Sequence, residues 1–203
     1  MVDKRKKKFF EDVGKGQTSV QLYNRYIIAG DVWIFKQKYD EQWFEHYNEF
    51  RLYISSKLGI HYNDIAVAGS AKLGFSLNPE KKFKKFDSES DVDIIIISQE
   101  LFYRFWKEYM LASYSVSGIN NKNRIMFGIF RKYLFLDGFK KGNIFYEEWE
   151  KKTKGFEKDI QLIFGIENEI HYRIFESWDA AQLYYVNGIE KCFKELEGGI
   201  KWK

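Results

Sequence analysis

The chain has 203 residues, of which 45% are hydrophobic and 31% charged, with one proline, one cysteine and a formal net charge of +4. This length suits one domain, and the composition excludes a disordered chain, a repeat array and a disulfide-stapled scaffold. No apolar run approaches the roughly 18 residues of a membrane span, so we expect a soluble protein without membrane partners. The lone Cys192 fits a reducing cytoplasm.

The basic surplus lies at the start of the chain. The first eight residues hold five basic side chains and one acidic side chain, Asp3, so their net charge is +4. The net charge of the whole chain has the same value. The remaining residues are balanced, so the charge does not by itself indicate a nucleic-acid surface on the body of the protein. We interpret residues 1–19 as a flexible, solvated basic tail, with weak nucleic-acid contact or an import signal as the functional alternatives.

Two helices are predicted next, in residues 20–59, as an N-terminal extension that packs on the core. The first covers 20–34 and is weakened by Gly30. The second is capped by Asp40, carries apolar residues at helical spacing and stops at Gly59.

Alternating strands and helices are predicted for the rest of the chain, residues 60–203. Residues 65–68 and 91–97 form strands, and four isoleucines in the second indicate burial on both faces. A polar loop, 78–90, joins them. Further helices are expected at 99–114, 146–158 and 179–196, a strand at 169–175, and a strand or turn at 131–136. The predicted fold class is α+β, a small mixed sheet flanked by helices.

Two motifs on consecutive strands carry the chemistry: GSAKLG at 69–74 and SDVD at 90–93. Residues two apart on a strand face the same way, so Asp91 and Asp93 project from one face about 6.6 Å apart and could share Mg²⁺. A glycine-ended turn with Ser70 and Lys72 could hold the phosphates of a triphosphate. This combination predicts phosphoryl or nucleotidyl transfer.

The order of these motifs resembles the polymerase-β-like nucleotidyltransferase superfamily, in which a strand and a G-S turn precede D-x-D on an apolar strand. The strings GSAKLGFSLNP and FDSESDVDIII are also similar to a group of bacterial nucleotidyltransferase-domain proteins. The resemblance covers roughly residues 60–98. It implies Mg²⁺, an NTP substrate and metal ligation by Asp91 and Asp93. It also implies phosphate contacts at Ser70 and Lys72. The full set of nucleotide-binding candidates is Gly69, Ser70, Lys72, Gly74 and Ser90.

The superfamily also has a third carboxylate on a later strand, and no signature marks it here. Glu169 is our first candidate, because it opens a strand that should pair near the aspartate strand. Glu167, Asp137 and Asp159 are the alternatives.

Other polar residues have two interpretations each. His171 could serve the site or pack in the core. Arg173 shares a face with Glu169 and could contact a phosphate or pair with a carboxylate. The lysines and phenylalanines of 81–86 could hold nucleic acid, although a solvated loop is the commoner outcome.

The function predicted from the sequence is Mg²⁺-dependent transfer of NMP from an NTP to a hydroxyl acceptor on a protein, an RNA, a small molecule or a nucleotide. One alternative keeps the fold without efficient transfer, as a nucleotide sensor or antitoxin-like partner. Another is a nucleic-acid-binding protein.

Overall fold

The computed structural model describes residues 2–115, 118–136, 138–139 and 143–197. The α-helices within these ranges are α1 Val2–Gly14, α2 Ser19–Leu22, α3 Trp33–Tyr39, α4 Trp43–Leu58, α5 Gly69–Leu73, α6 Gln99–Tyr114, α7 Lys122–Phe130, α8 Ile144–Phe164 and α9 Trp178–Glu197. The strands are β1 Ile65–Ala68, β2 Val92–Ile97, β3 Tyr133–Leu134 and β4 Ile170–Phe175. A π-helix, Tyr23–Ile28, continues α2, and 3₁₀ turns cover Asp40–Gln42, Tyr62–Asp64 and Pro79–Lys81.

The described strands form one mixed sheet in the order β1-β2-β4-β3. The outer pairs are antiparallel, while β2 and β4 run parallel and pair along their full length. The predicted α+β class with a small mixed sheet is therefore confirmed. The isoleucines of β2 are buried on both faces, as expected for a strand in the middle of a covered sheet.

The two faces of the sheet pack against different helices. Ile94 and Ile96 point into the larger core, which α4, α6 and α8 complete with residues such as Phe50, Phe105 and Ile160. Ile95 belongs to a smaller cluster on the opposite face, where Ala180 and Ala181 of α9 lie against the sheet. These clusters fix the strand register, because a slip by one residue would exchange the two faces.

The start of the chain differs from the predicted tail. Residues 2–14 form α1, and its Phe9 is fully buried against Tyr26 and Phe75. Asp12 is also buried and accepts hydrogen bonds of 2.8 Å from Arg25 and Tyr26. The expectation of a solvated segment was wrong here, because Phe9, Phe10 and Val13, which follow the lysine-rich stretch, give α1 a face that packs.

The next segment also departs from the prediction of one helix over 20–34. The chain leaves the π-helix at Ala29, turns at Gly30 with φ +73°, and starts α3 at Trp33. Asp40 does not cap α4; it lies in a 3₁₀ turn before that helix, which begins at Trp43.

The loop 78–90 was considered as a stacking surface for nucleic acid. Its Phe83 is instead buried, with its ring 5.2 Å from that of Phe10. Phe86 is half-buried beside Trp33, with ring centroids 5.3 Å apart. Both rings therefore hold the loop against the N-terminal helices rather than facing solvent. None of the helices within the described ranges has both the length and the apolarity needed to cross a bilayer.

Candidate functional site

Pairing of β2 with β4 gathers the charged residues of the site onto one face of the sheet. In the parallel register Asp93 lies beside His171, and the amide of Val92 donates to the carbonyl of Glu169 at 2.8 Å. Residues two apart on a strand share a face, so Asp91 lies on the face of Asp93, and both Glu169 and Arg173 lie on the face of His171. The residues on this face are Asp91, Asp93, Glu169, His171 and Arg173.

Three of them form an open cluster at the start of the two strands. Nδ1 of His171 lies 3.7 Å from a carboxylate oxygen of Asp91, and Nε2 lies 3.3 Å from one of Glu169. One potential ligand atom from each residue falls within 4.8 Å of the other two. Two carboxylates and an imidazole suit Mn²⁺ or Zn²⁺, and the carboxylates alone suit Mg²⁺ with retained waters.

Asp93 lies deeper and has a different partner. Nε and Nη2 of Arg173 approach the same oxygen, Oδ1, at 3.0 and 2.9 Å. The side chains of Asp93 and Arg173 are only 17% and 24% exposed. Arg173 also donates to the hydroxyl of Tyr184 at 3.1 Å. The two aspartates therefore differ: Asp91 is half-buried near His171, and Asp93 is more enclosed and is held by an arginine.

The glycine-serine turn meets the site at Asp93. Ala68, the last residue of β1, pairs with Asp93, and Gly69 follows with φ +62°. A Cβ on Gly69 would collide with Oδ2 of Asp93. Only glycine allows this backbone path so close to the carboxylate. Ser70 follows at the start of α5 and is half-buried, and the buried Gly74 ends that helix with φ +85°.

Lys72 does not join this face. It is buried, and its Nζ donates to the carbonyl of Gly30 at 2.9 Å. Burial, together with the nearby charge of Arg5, lowers the pKa of Lys72 to about 8. Among the described residues, no ion pair or hydrogen bond joins Lys72 to the sheet carboxylates.

Ser90 shapes the turn before Asp91. Its Oγ donates to Asp87 at 2.8 Å and accepts from the Asp87 amide at 3.1 Å. The side-chain amide of Asn168 donates to the carbonyls of Asp87 and Ser90 at 3.0 and 2.8 Å. Sequence reasoning missed Asn168, since a single asparagine before a strand carries no recognisable signal. Its bonds fix the entry of β2 beside that of β4.

The described candidates for the third carboxylate lie in different surroundings. Glu169 lies beside Asp91, as its predicted strand pairing implied. Glu167 is exposed, and Asp159 accepts from Tyr53 on α4 at 2.6 Å. Asp137 lies outside the described residues. Glu157 on α8 was not predicted; burial raises its pKa, and it interacts electrostatically with Glu169 and His171.

Helix α9 supplies a further unpredicted group. The hydroxyl of Tyr185 is buried and has no hydrogen-bond partner among the described residues. Burial raises the pKa of Tyr185 well above its usual value, and the hydroxyl interacts electrostatically with Arg173 and Asp93. Tyr184 and Tyr185 of α9 therefore both lie near the enclosed Asp93–Arg173 pair.

Comparisons with known proteins provide no relative. No family model matches the chain, and neither a curated protein nor a solved structure shows significant similarity to it.

Proposed function

We propose that the protein is a divalent-metal-dependent nucleotidyltransferase. The observation that carries the proposal is the meeting of the Gly69–Ser70 turn with Asp93, on the same sheet face as Asp91 and Glu169. Carboxylates beside a glycine turn suit a metal-bound triphosphate. The motif order that resembles polymerase-β-like enzymes supports the same chemistry.

In this proposal the metal is held by Asp91 and Glu169, with His171 at the edge of the site. When bound, the ion supplies neutralisation of the charge that develops on the phosphates. Glu169 accepts the proton of the acceptor hydroxyl while the hydroxyl oxygen attacks the α-phosphorus of the NTP. The bond from that phosphorus to the bridging oxygen breaks, and pyrophosphate leaves.

The phosphate contacts are assigned differently from the sequence prediction. Lys72 bonds to the Gly30 carbonyl, so the cation that this proposal places at the phosphates is Arg173, the partner of Asp93 beside the turn. In the proposal Arg173 turns part of its guanidinium toward the triphosphate, and Ser70 contributes a hydroxyl. An arginine suits this role because its fork can bind two oxygens at once.

The Asp93–Arg173 pair favours a second candidate, a nucleotide-binding module without transfer. Arg173 already neutralises the carboxylate that the resemblance assigns to metal, and α9 lies over the same face. Such a protein would act as a nucleotide sensor or an antitoxin-like partner.

The test is incubation with each α-labelled NTP and Mg²⁺ or Mn²⁺, with pyrophosphate release and retained label as readouts. The variants are Asp91→Asn and Glu169→Gln, and the matched control is Glu167→Gln, an exposed acid two positions from Glu169. If pyrophosphate release is lost in both variants and is kept in the control, the result supports transfer. Saturable binding without pyrophosphate supports the sensor, and no binding of any NTP overturns both.

A further inference from the structure

Helix α7 presents aromatic rings to solvent. The ring of Phe130 is 85% exposed and that of Phe127 is 55% exposed, next to the exposed Met126. The opposite side of α7 is fixed, because Ile125 is buried and a Cβ on Gly128 would collide with the carbonyl of Tyr133. The helix therefore holds its rings outward on a rigid support.

The same segment is uniformly basic. Residues 109–136 contain no Asp or Glu, and the part around α7 contains Lys122, Arg124, Arg131 and Lys132. Lys132 pairs with Glu176 at 3.0 Å. The balance of charge over the whole protein conceals this local surplus.

Guanidinium groups stack on the rings. The guanidinium carbon of Arg131 lies 4.2 Å from the ring centroid of Phe127, and that of Arg124 lies 4.0 Å from that of Phe135. Alternating rings and cations of this kind bind single-stranded nucleic acid, because bases stack on the rings while the cations follow the phosphates.

Phe135 connects this surface with the candidate site. The guanidinium carbon of Arg173, the partner of Asp93, lies 5.5 Å from the centroid of the same ring that Arg124 covers. A strand bound along α7 would thus approach the face that carries the carboxylates. A membrane surface offers negative charge too, but it does not account for this continuity with the site.

We propose that the surface formed by Arg124, Phe127, Phe130 and Arg131 binds single-stranded nucleic acid. Its further role, presenting the end of that strand as the hydroxyl acceptor, rests on the proposed transferase function. Binding itself does not depend on that function.

Fluorescence anisotropy with a labelled oligoadenylate of about 12 nucleotides tests the surface, in EDTA and without NTP. Phe127→Ala and Phe130→Ala should each weaken binding about tenfold through lost stacking. Arg131→Ala should lower the slope of log affinity against log salt by about 0.7.

Two variants serve as controls. Phe44→Ala removes a ring that is also 55% exposed, on α4, and Lys152→Ala removes an exposed lysine of α8. Both should bind like the wild type, and circular dichroism should show that all variants fold. The proposal is overturned if the wild type does not bind the oligonucleotide, or if Phe127→Ala and Phe130→Ala bind it as well as Phe44→Ala does. It is also overturned if the wild type binds phosphatidylserine vesicles in preference to the oligonucleotide.

The acceptor role has a separate readout. With Mg²⁺, α-labelled NTP and oligonucleotide below its Kd, label should appear on the oligonucleotide and fall about tenfold in Phe127→Ala, in line with the loss of binding. Binding without labelling, while NMP is still transferred to another acceptor with release of pyrophosphate, overturns the acceptor role alone. Binding without any turnover overturns the proposed transferase and leaves the surface in place.

Discussion

Arg173 contacts a single oxygen of Asp93 through two of its nitrogens, at 3.0 and 2.9 Å, across the parallel strands β4 and β2. The sequence left two partners open for this arginine, a phosphate or a carboxylate, and the structure gives it the carboxylate. Both side chains are mostly enclosed, so each needs the opposite charge of the other to compensate its own.

Asp93→Asn should therefore affect stability as well as any activity. We expect it to lower the free energy of unfolding by about 1–3 kcal/mol, since the arginine loses its ionic partner. Asp91→Asn should cost less than about 1 kcal/mol, because Asp91 is 39% exposed and lies 3.7 Å from His171. Urea unfolding of the two variants gives the comparison, and equal midpoints would contradict a structural role for the Asp93 pair.

Gly69→Ala should be more harmful than an ordinary glycine substitution at positive φ. Alanine at this position would have a strained backbone, and its Cβ would also collide with the Asp93 carboxylate. We therefore expect the free energy of unfolding to fall by about 2–4 kcal/mol. Gly16→Ala is the matched control, because Gly16 has φ +76° and no neighbouring atom within 4 Å of the added Cβ. Thermal unfolding should separate the two, and similar melting temperatures would mean that the turn can move away from Asp93.

The open cluster should bind Mn²⁺ in the absence of nucleotide. Asp91→Asn should weaken that binding about tenfold or more, since carboxylate oxygens are the strongest ligands available there for this ion. Electron paramagnetic resonance of free Mn²⁺ provides the measurement. Glu167→Gln should behave like the wild type, and an equal loss in both variants would point to general surface charge instead.

Lys72 should make stability depend on pH in the alkaline range. Its pKa falls from 10.5 to about 8 on burial, so the folded state holds the proton less tightly than the unfolded state. The penalty for burying the charge applies below pH 8 and disappears as the pH rises toward 10.5. Wild-type stability should therefore rise between these values by up to roughly 3 kcal/mol relative to Lys72→Met, in urea unfolding series at each pH. Parallel curves would show that the ammonium is well solvated.

Phe83→Ala tests the structural role of the lysine-rich loop. The ring is 1% exposed, so its removal should cost about 3–5 kcal/mol, whereas Phe44→Ala should cost little. Urea unfolding distinguishes them. If Phe83→Ala retained full stability, the loop would be free to present its rings to a ligand, as the sequence pattern had allowed.

The regular strands and helices were predictable because their side-chain period is visible in the sequence. The strands at 65–68 and 169–175 and the helix at 99–114 appear within a residue of the predicted bounds. The β2 isoleucines also predicted a covered central strand. Helix α1 was missed because five basic residues dominate its composition and hide the packing residues Phe9 and Phe10. Helix α7 was missed because its exposed rings blur the contrast between its two sides.

The site was predictable in its residue types and only partly in its pairings. Asp91, Asp93 and Glu169 do share one sheet face, which follows from the period of two. That Asp93 meets Arg173 while Asp91 meets His171 depends on the register of β2 against β4. The bonds from Asn168 to the carbonyls of Asp87 and Ser90 hold the starts of these strands together, and no local pattern in the sequence reveals them.

The distance along the chain between the two central strands has a consequence for biosynthesis. Asp93 and Arg173 are 80 positions apart, so the carboxylate strand leaves the ribosome long before its arginine partner. Until β4 docks, the nascent sheet has an unpaired inner edge and an aspartate without its counter-charge. Competence for a ligand at this sheet face must therefore wait until β4 has been made and has docked.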